Sequence, residues 1–241
     1  MKAIILIAGE GKRLRSLTDE PKCFLKINGK TILENALDCL SREHFREVVL
    51  VTGYREDYVR KIGKEFNGMK ITYVNNPFFK STNNMYSLYL AREHLSEGAV
   101  CFDGDVIFEE KILQCIMKHK ENCWAVDRNK DLEGSVLTAD KSGKLVNVEI
   151  IRHKIVCSDK FKSVAIIKIS PELGLKLQSW LEEDVTQGNT NIYIDLVLGK
   201  RLKESNIHIC DVSGFKWFEI DTEEDYMSAK ALFNNSFLNS S

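Results

Sequence analysis

The sequence predicts an α/β fold, a doubly wound and mostly parallel sheet with a small β-hairpin insertion, and three observations predict it. Short apolar runs recur with little alternation, the pattern of strands buried on both faces. Helical periodicity separates these runs through the first half of the chain. A glycine-rich basic loop follows the first run, at the carboxyl end of a strand, where open α/β sheets bind ligands.

The first strand covers Lys2 to Ile7, and the loop Ala8-Gly9-Glu10-Gly11-Lys12-Arg13 follows it. Thr31 opens a helix, with Glu34 completing a T-x-x-E capping box and Ile32, Leu33, Ala36, Leu37 and Leu40 forming one apolar face. Then come a strand over Val48 to Thr52, a helix near Glu56 to Phe66, a strand near Lys70 to Val74, a helix near Asn83 to Leu95 and a strand near Ala99 to Asp103. From about residue 124 the rhythm changes. Trp124 to Asp127, Ser135 to Ala139 and Lys144 to Ile150 read as strands, and Asp140-Lys141-Ser142-Gly143 is a turn sequence joining the last two. A hairpin-bearing insertion therefore occupies about residues 128–162. Ser163 to Ile169 returns to a buried strand, Ser170-Pro171 starts a helix to about Leu181, and a further helix spans about Ile192 to Leu202. Trp217 to Asp221 is the closing strand and Thr222 to Phe233 the closing helix, so residues 1–233 read as one domain and 234–241 as a fraying polar tail.

Composition bounds the function. At 241 residues, 44% hydrophobic and 29% charged, the chain can bury one large core. A net charge of −1 gives no field to hold a polyanion, so nucleic acid is not an expected partner. No apolar run approaches the ~20 residues of a membrane span, and Met1-Lys2 leads straight into a strand with no cleavage-site pattern. A cytoplasmic protein without a membrane partner is expected. Seven cysteines with no C-x-x-C spacing and no matching histidine cluster argue against a disulfide framework and a zinc site.

The loop reads as a phosphate cradle. Gly9 and Gly11 let backbone N–H groups approach a ligand, while Lys12 and Arg13 add positive charge. A P-loop needs Ser or Thr where Arg13 stands, and a dinucleotide fingerprint needs a third glycine opening a helix, whereas this chain runs from Gly11 to Pro21 without one. Solvated surface charge is the plain alternative for Arg13 and Lys22.

The same stretch resembles the signature of the nucleotidyltransferases that activate sugar phosphates and related phosphate compounds, roughly A-G-x-G-x-R-L-x-P-L-T followed by P-K. The matches are Ala8, Gly9, Gly11, Arg13, Leu14, Leu17, Thr18, Pro21 and Lys22; Ser16 stands where proline is usual and Ile7 where alanine is common. The resemblance implies a nucleotide-diphospho-sugar transferase-like fold, nucleotide binding at Ala8, Gly9, Glu10, Gly11 and Lys12, and catalytic roles for Arg13 and Lys22. Transfer to a phosphate anion also needs divalent metal and cations to offset repulsion, so strand-end carboxylates are wanted. Val100-Cys101-Phe102-Asp103-Gly104-Asp105 offers two acids at i and i+2, and Trp217-Phe218-Glu219-Ile220-Asp221 offers a third. Oxygen ligands suit Mg²⁺. By the resemblance Asp105 and Asp221 hold that Mg²⁺ and Asp103 lies by the nucleotide; helix capping is the structural alternative for Asp105 and Asp221.

Asn75 to Ala91, with Asn76-Pro77, Thr82-Asn83-Asn84 and Ser87-Leu88, looks like the corresponding stretch of cytidylyltransferases acting on phosphocholine, aminoethylphosphonate and inositol phosphate. This implies CTP and a small phosphate- or phosphonate-bearing acceptor as partners, with Asn83 or Asn84 reading the base; starting the next helix is the alternative. A homodimer is compatible with it. The phosphonate and inositol-phosphate members often carry an acidic pair followed by Met-Lys-Val where this chain has Asp131-Leu132-Glu133-Gly134-Ser135-Val136. The lysine is missing; if in those members it touches acceptor or pyrophosphate, this chain either substitutes Arg128 or Lys130 or handles another acceptor. Two other functions compete: a sugar-1-phosphate nucleotidyltransferase using UTP or dTTP, and a non-catalytic nucleotide-binding regulator.

Overall fold

A computed structural model describes residues 1–234, so the tail expected at 234–241 lies outside the described residues from 235 onward. At the centre, four parallel strands run in the order Ala99–Asp103, Lys2–Leu6, Glu47–Thr52 and Met69–Asn75. Their apolar runs lack alternation because both faces are covered. Ile5 and Leu50 pack with Leu33, Leu37 and Leu40 of the helix Ile32–Arg42, while Ile4 and Val49 pack with Met85, Leu88 and Leu95 on the other side. The capping box forms as expected: Glu34 N donates to Thr31 Oγ1 at 3.0 Å and Thr31 N donates to the Glu34 carboxylate at 2.8 Å.

Beyond Ala99–Asp103 the sheet turns antiparallel. Lys160–Ile169 pairs with it and also contacts both Leu132–Ala139 and Asn122–Asp127. The hairpin of Leu132–Ala139 and Leu145–Ile155 therefore extends the main sheet. Ala165, at φ +57, sits where Lys160–Ile169 shifts register between Ser163 and Ile167.

One element differs from expectation in kind. The helix expected near Glu56 to Phe66 is a single turn, Glu56–Val59, followed by a 3₁₀ turn at Arg60–Ile62. Glu65–Phe66 then reverses through Asn67 (φ +48) and Gly68 (φ +80) into Met69–Asn75. The Asn-Gly pair supplies the two left-handed residues that a tight hairpin requires, and that local chemistry outweighs the helical pattern before it. The structure adds elements the periodicity did not single out: the helix Glu110–Lys118, the strand Ile207–Asp211, and the strand Val106–Phe108, which pairs with Trp217–Glu219. A third apolar cluster of Leu14, Leu25, Ile27, Ile32, Ile107, Ile220 and Ala229 ties the glycine loop to the closing strand and the closing helix Glu223–Asn234. The seven cysteines are unbridged and five are buried.

Candidate active site

The loop leaves the sheet under restraint: Ile7 N donates to Val51 O at 2.9 Å and Tyr54 N donates to Ala8 O at 3.0 Å. Gly11 has φ +60, and a Cβ there would meet Lys22 Cβ at 3.2 Å, so glycine serves both the left-handed backbone and the close passage of Lys22. A Cβ on Gly9 would meet nothing within 4 Å. Leu14, buried in the third cluster, anchors the far end of the loop.

The acids arrive from the opposite direction. Asp103 pairs in register with Leu6, and Gly104 N donates to Leu6 O at 3.0 Å. The chain then enters Val106–Phe108, where Val106 lies opposite Glu219, and Ile220 N donates to Asp105 O at 3.0 Å. That pairing brings Asp105 and Asp221, far apart in sequence, to one edge. Lys22 Nζ bonds Asp105 and lies 3.2 Å from Asp221 Oδ1, and Arg13 bonds Asp221 Oδ2 at 2.8 Å. Capping does not consume either carboxylate. Glu109 holds the N-cap position of Glu110–Lys118, and Thr222 and Asp225 cap the closing helix reciprocally, at 2.8 Å and 3.2 Å.

Electrostatics follow from this packing. Burial works against the charge on Lys22, but Asp105 and Asp221 overrule it and raise its pKa. Burial likewise pushes Asp221 upward, yet Lys22 and Arg13 hold it below the usual carboxylate range. Lys22 also favours the charged form of Asp103, but there it is outweighed. Burial, then Asp105, Asp195 and Glu219, drive the Asp103 pKa well up, while Asn84 Nδ2 donates to it at 3.2 Å. Because its folded pKa exceeds the unfolded value, this group loses stability as pH rises through that window. Asp103→Asn is expected to raise the melting temperature by about 2 °C or more at pH 8 and by less at pH 4. A gain independent of pH, measured by calorimetry, would count against this account.

The donor set fits a hard divalent cation. Among the described residues Asp105 Oδ1 is buried with no hydrogen-bond partner, and the atoms that Asp105 and Asp221 offer are carboxylate oxygens. Among the described residues no cluster of three acids forms a ready cage. Two carboxylates completed by substrate oxygens and water is the arrangement Mg²⁺ favours.

These groups line a cleft of about 770 Å³, within the range of sites for small organic ligands. Ala8, Gly9, Arg13, Lys22, Asn83, Asn84, Asp103, Asp105 and Asp221 all line it. Gly11 stands behind Lys22. Glu10 and Lys12 are not among the lining residues; they pair with each other at 3.4 Å, and Glu10 also pairs with Arg15. Asn83 caps the helix Asn84–Leu90 through its side chain, and Asn84 also accepts from Ile194 N at 3.0 Å. Arg128 is not among the lining residues: it pairs with Asp211 at 2.7 Å and lies over Phe161. Lys130 lines the cleft with its ammonium 5.5 Å from the Trp217 ring and 5.0 Å from that of Phe218. Sequence reasoning missed Lys162, Asp195, Glu219, Phe79 and Tyr193, whose place in the cleft depends on strand register and loop packing. Cys23 also lines it, but burial pushes its thiol up to about 12, so it is no nucleophile at neutral pH.

Residues 3–144, more than half of the chain, match the family model of the MobA-like NTP transferase domain. The chain belongs to this family. As a MobA-like NTP transferase it is a nucleotidyltransferase. It is 30% identical to a CMP-5'-(3-aminopropyl)phosphonate synthase of Streptomyces rubellomurinus, over 97% of this chain and 39% of that protein. It is 23% identical to a choline-phosphate cytidylyltransferase of Streptococcus pneumoniae, over 98% of this chain and 99% of that one. The chain thus spans less than half of the first relative and nearly all of the second. The solved structure of a CTP:phosphocholine cytidylyltransferase from Streptococcus pneumoniae shares the fold, with a TM-score of 0.79 at 21% identity over 96% of this chain and 98% of that one. Among the described residues no helix is long and apolar enough to cross a membrane.

Proposed function

We propose that this nucleotidyltransferase is a Mg²⁺-dependent cytidylyltransferase that joins CMP from CTP to a small phosphorylated or phosphonylated acceptor and releases pyrophosphate. The observation that carries this reading is the row in which Arg13 and Lys22 meet Asp221 and Asp105 beside the glycine loop. The choice of CTP rests on the Asn75 to Ala91 stretch and on the cytidylyl products named for two relatives.

An acceptor oxygen, already anionic, attacks the α-phosphorus while the bond to the β-phosphate oxygen breaks, and pyrophosphate leaves. No covalent enzyme intermediate is required. The loop amides at Ala8 and Gly9, which line the cleft, cradle the triphosphate, and Arg13 and Lys22 offset its charge. Asp105 and Asp221 would hold Mg²⁺, which supplies charge neutralisation for the reacting phosphates. Lys22 ties the two carboxylates together, so the site is assembled in advance. Asn84, fixed between Asp103 and Ile194, holds the helix Asn84–Leu90 against the cleft. The reading places the protein in the cytoplasm, where nucleoside triphosphates are made.

Pyrophosphate release across CTP, UTP, dTTP, ATP and GTP, each with phosphocholine, aminoethylphosphonate, inositol phosphate and glucose 1-phosphate, tests the proposal. CTP with a phosphate or phosphonate acceptor is expected to exceed every other pair by at least about tenfold, the effect of roughly 1.4 kcal/mol. Preference for UTP or dTTP with glucose 1-phosphate would overturn the cytidylyl assignment. Tight nucleotide binding with no turnover for any pair would favour a regulator.

A further inference from the structure

Lys162 occupies a position in the cleft that none of the motifs accounts for. It is the third residue of the strand Lys160–Ile169 and lies directly across from Val136 of the hairpin. Its side chain is 13% exposed, and its ammonium is 3.1 Å from Glu219 Oε2. The same ammonium passes against Gly134, where a Cβ would meet it at 3.0 Å. Gly134 has φ +74, a left-handed backbone that a larger residue would strain, and such a residue would press on the Lys162 ammonium. Gly134 belongs to the hairpin segment Asp131 to Val136, which carries no lysine of its own. A cation absent from one strand is present on its neighbour.

Its place relative to the acids gives it a use. Arg13 and Lys22 hold Asp221 and Asp105; Asp105 leads into Val106, which faces Glu219; Glu219 holds Lys162. The carboxylates thus form a row with cations at both ends. A triphosphate on the glycine loop meets Arg13 and Lys22, and a second anion approaching from the other end meets Lys162. The other lysines of this half of the cleft are less suited. Lys154 and its partner Asp131 are mostly exposed, at 68% and 69%, where water screens them, and Lys130 is spent on the Trp217 and Phe218 rings. Lys162 is largely shielded from water, and its field on a bound anion is correspondingly stronger.

We infer that Lys162 binds and orients the phosphate or phosphonate anion of the acceptor. The inference rests on the nucleotidyl-transfer reading given above. Lys162 touches the oxygens of the acceptor anion that do not attack, and Glu219 keeps the ammonium aimed into the cleft until the acceptor arrives.

The test uses methylphosphonate, which carries only the anion common to these acceptors, titrated by ³¹P NMR into the full chain with Mg²⁺ and an α,β-methylene analogue of CTP, and again without them. Wild type and Lys162→Arg are expected to show saturable binding. Lys162→Met is expected to weaken it at least tenfold, with affinity for the CTP analogue within twofold of wild type. Because Lys162→Met leaves Glu219 unpaired, Lys162→Met combined with Glu219→Gln is measured too, and is expected to show the same loss with a near-wild-type melting temperature. Equal methylphosphonate affinity in wild type and the double variant, or no saturable binding by wild type, would overturn the inference. Parallel loss of nucleotide affinity would do the same. If wild type fails to bind the CTP analogue while methylphosphonate still depends on Lys162, the cytidylyl reading falls and the anion assignment stands.

Discussion

Asp105→Asn is expected to lower kcat by about 10³-fold, measured as initial pyrophosphate release at saturating CTP and acceptor, while the melting temperature holds or rises. The two halves of that result have one cause. Asp105 lies against Asp103 and Glu219, whose pKa values are both raised, first by burial and then in part by the Asp105 charge. Removing a charge from such a cluster relieves like-charge repulsion, and the amide keeps an oxygen for Lys22. The buried Oδ1, which has no hydrogen-bond partner among the described residues, is the atom whose loss catalysis would register. An active site that keeps excess negative charge for a bound cation sacrifices stability for function. Near-normal turnover of Asp105→Asn in Mg²⁺ would remove Asp105 from the metal-holding role, and a melting temperature lowered by several degrees would show that its carboxylate is structural.

The outline of the parallel core was legible in the sequence because burial on both faces leaves an unmistakable mark: Ile4 and Ile5, or Val49 and Leu50, point to opposite apolar layers and no polar residue interrupts them. The glycine loop was legible for a different reason, since its conformation is set by local residues such as Gly11. Asp105 and Asp221 could be picked out as strand-end acids, but their proximity depends on the pairing of Val106–Phe108 with Trp217–Glu219, a contact between distant segments that no local pattern encodes. Lys162 was invisible for the same reason. A lysine early in a strand is ordinary until the register sets it across from Val136 and against Gly134. Glu10 and Lys12 show the converse: motif position named them, and their own pairing turned them to each other.

Gly104→Ala is expected to destabilise the protein by about 3 kcal/mol, lowering the melting temperature by roughly 10 °C, and to reduce kcat as well. Gly104 sits between the two acids, and a Cβ there would lie 2.0 Å from Ile7 Cγ2 and 3.3 Å from Leu6 O. Ile7 is buried and β-branched, so its methyl has little freedom to withdraw. The strain must then move the backbone on which Asp103 and Asp105 are mounted, and a displacement there reaches the reacting phosphates. Ile7 is also one of the two positions, with Ser16, at which the loop departs from the signature that it resembles. The larger side chain is accommodated in this packing because the residue facing it has none. Ile7→Ala alone opens a cavity and costs about 3 kcal/mol. Combined with Gly104→Ala, the new methyl fills part of that space, so the double variant is expected to lose at least about 1.5 kcal/mol less than the sum of the single losses in chemical denaturation. Simple additivity would mean that Ile7 is not the obstructing side chain, and the position of Asp105 would then be set by Leu6 and its carbonyl instead.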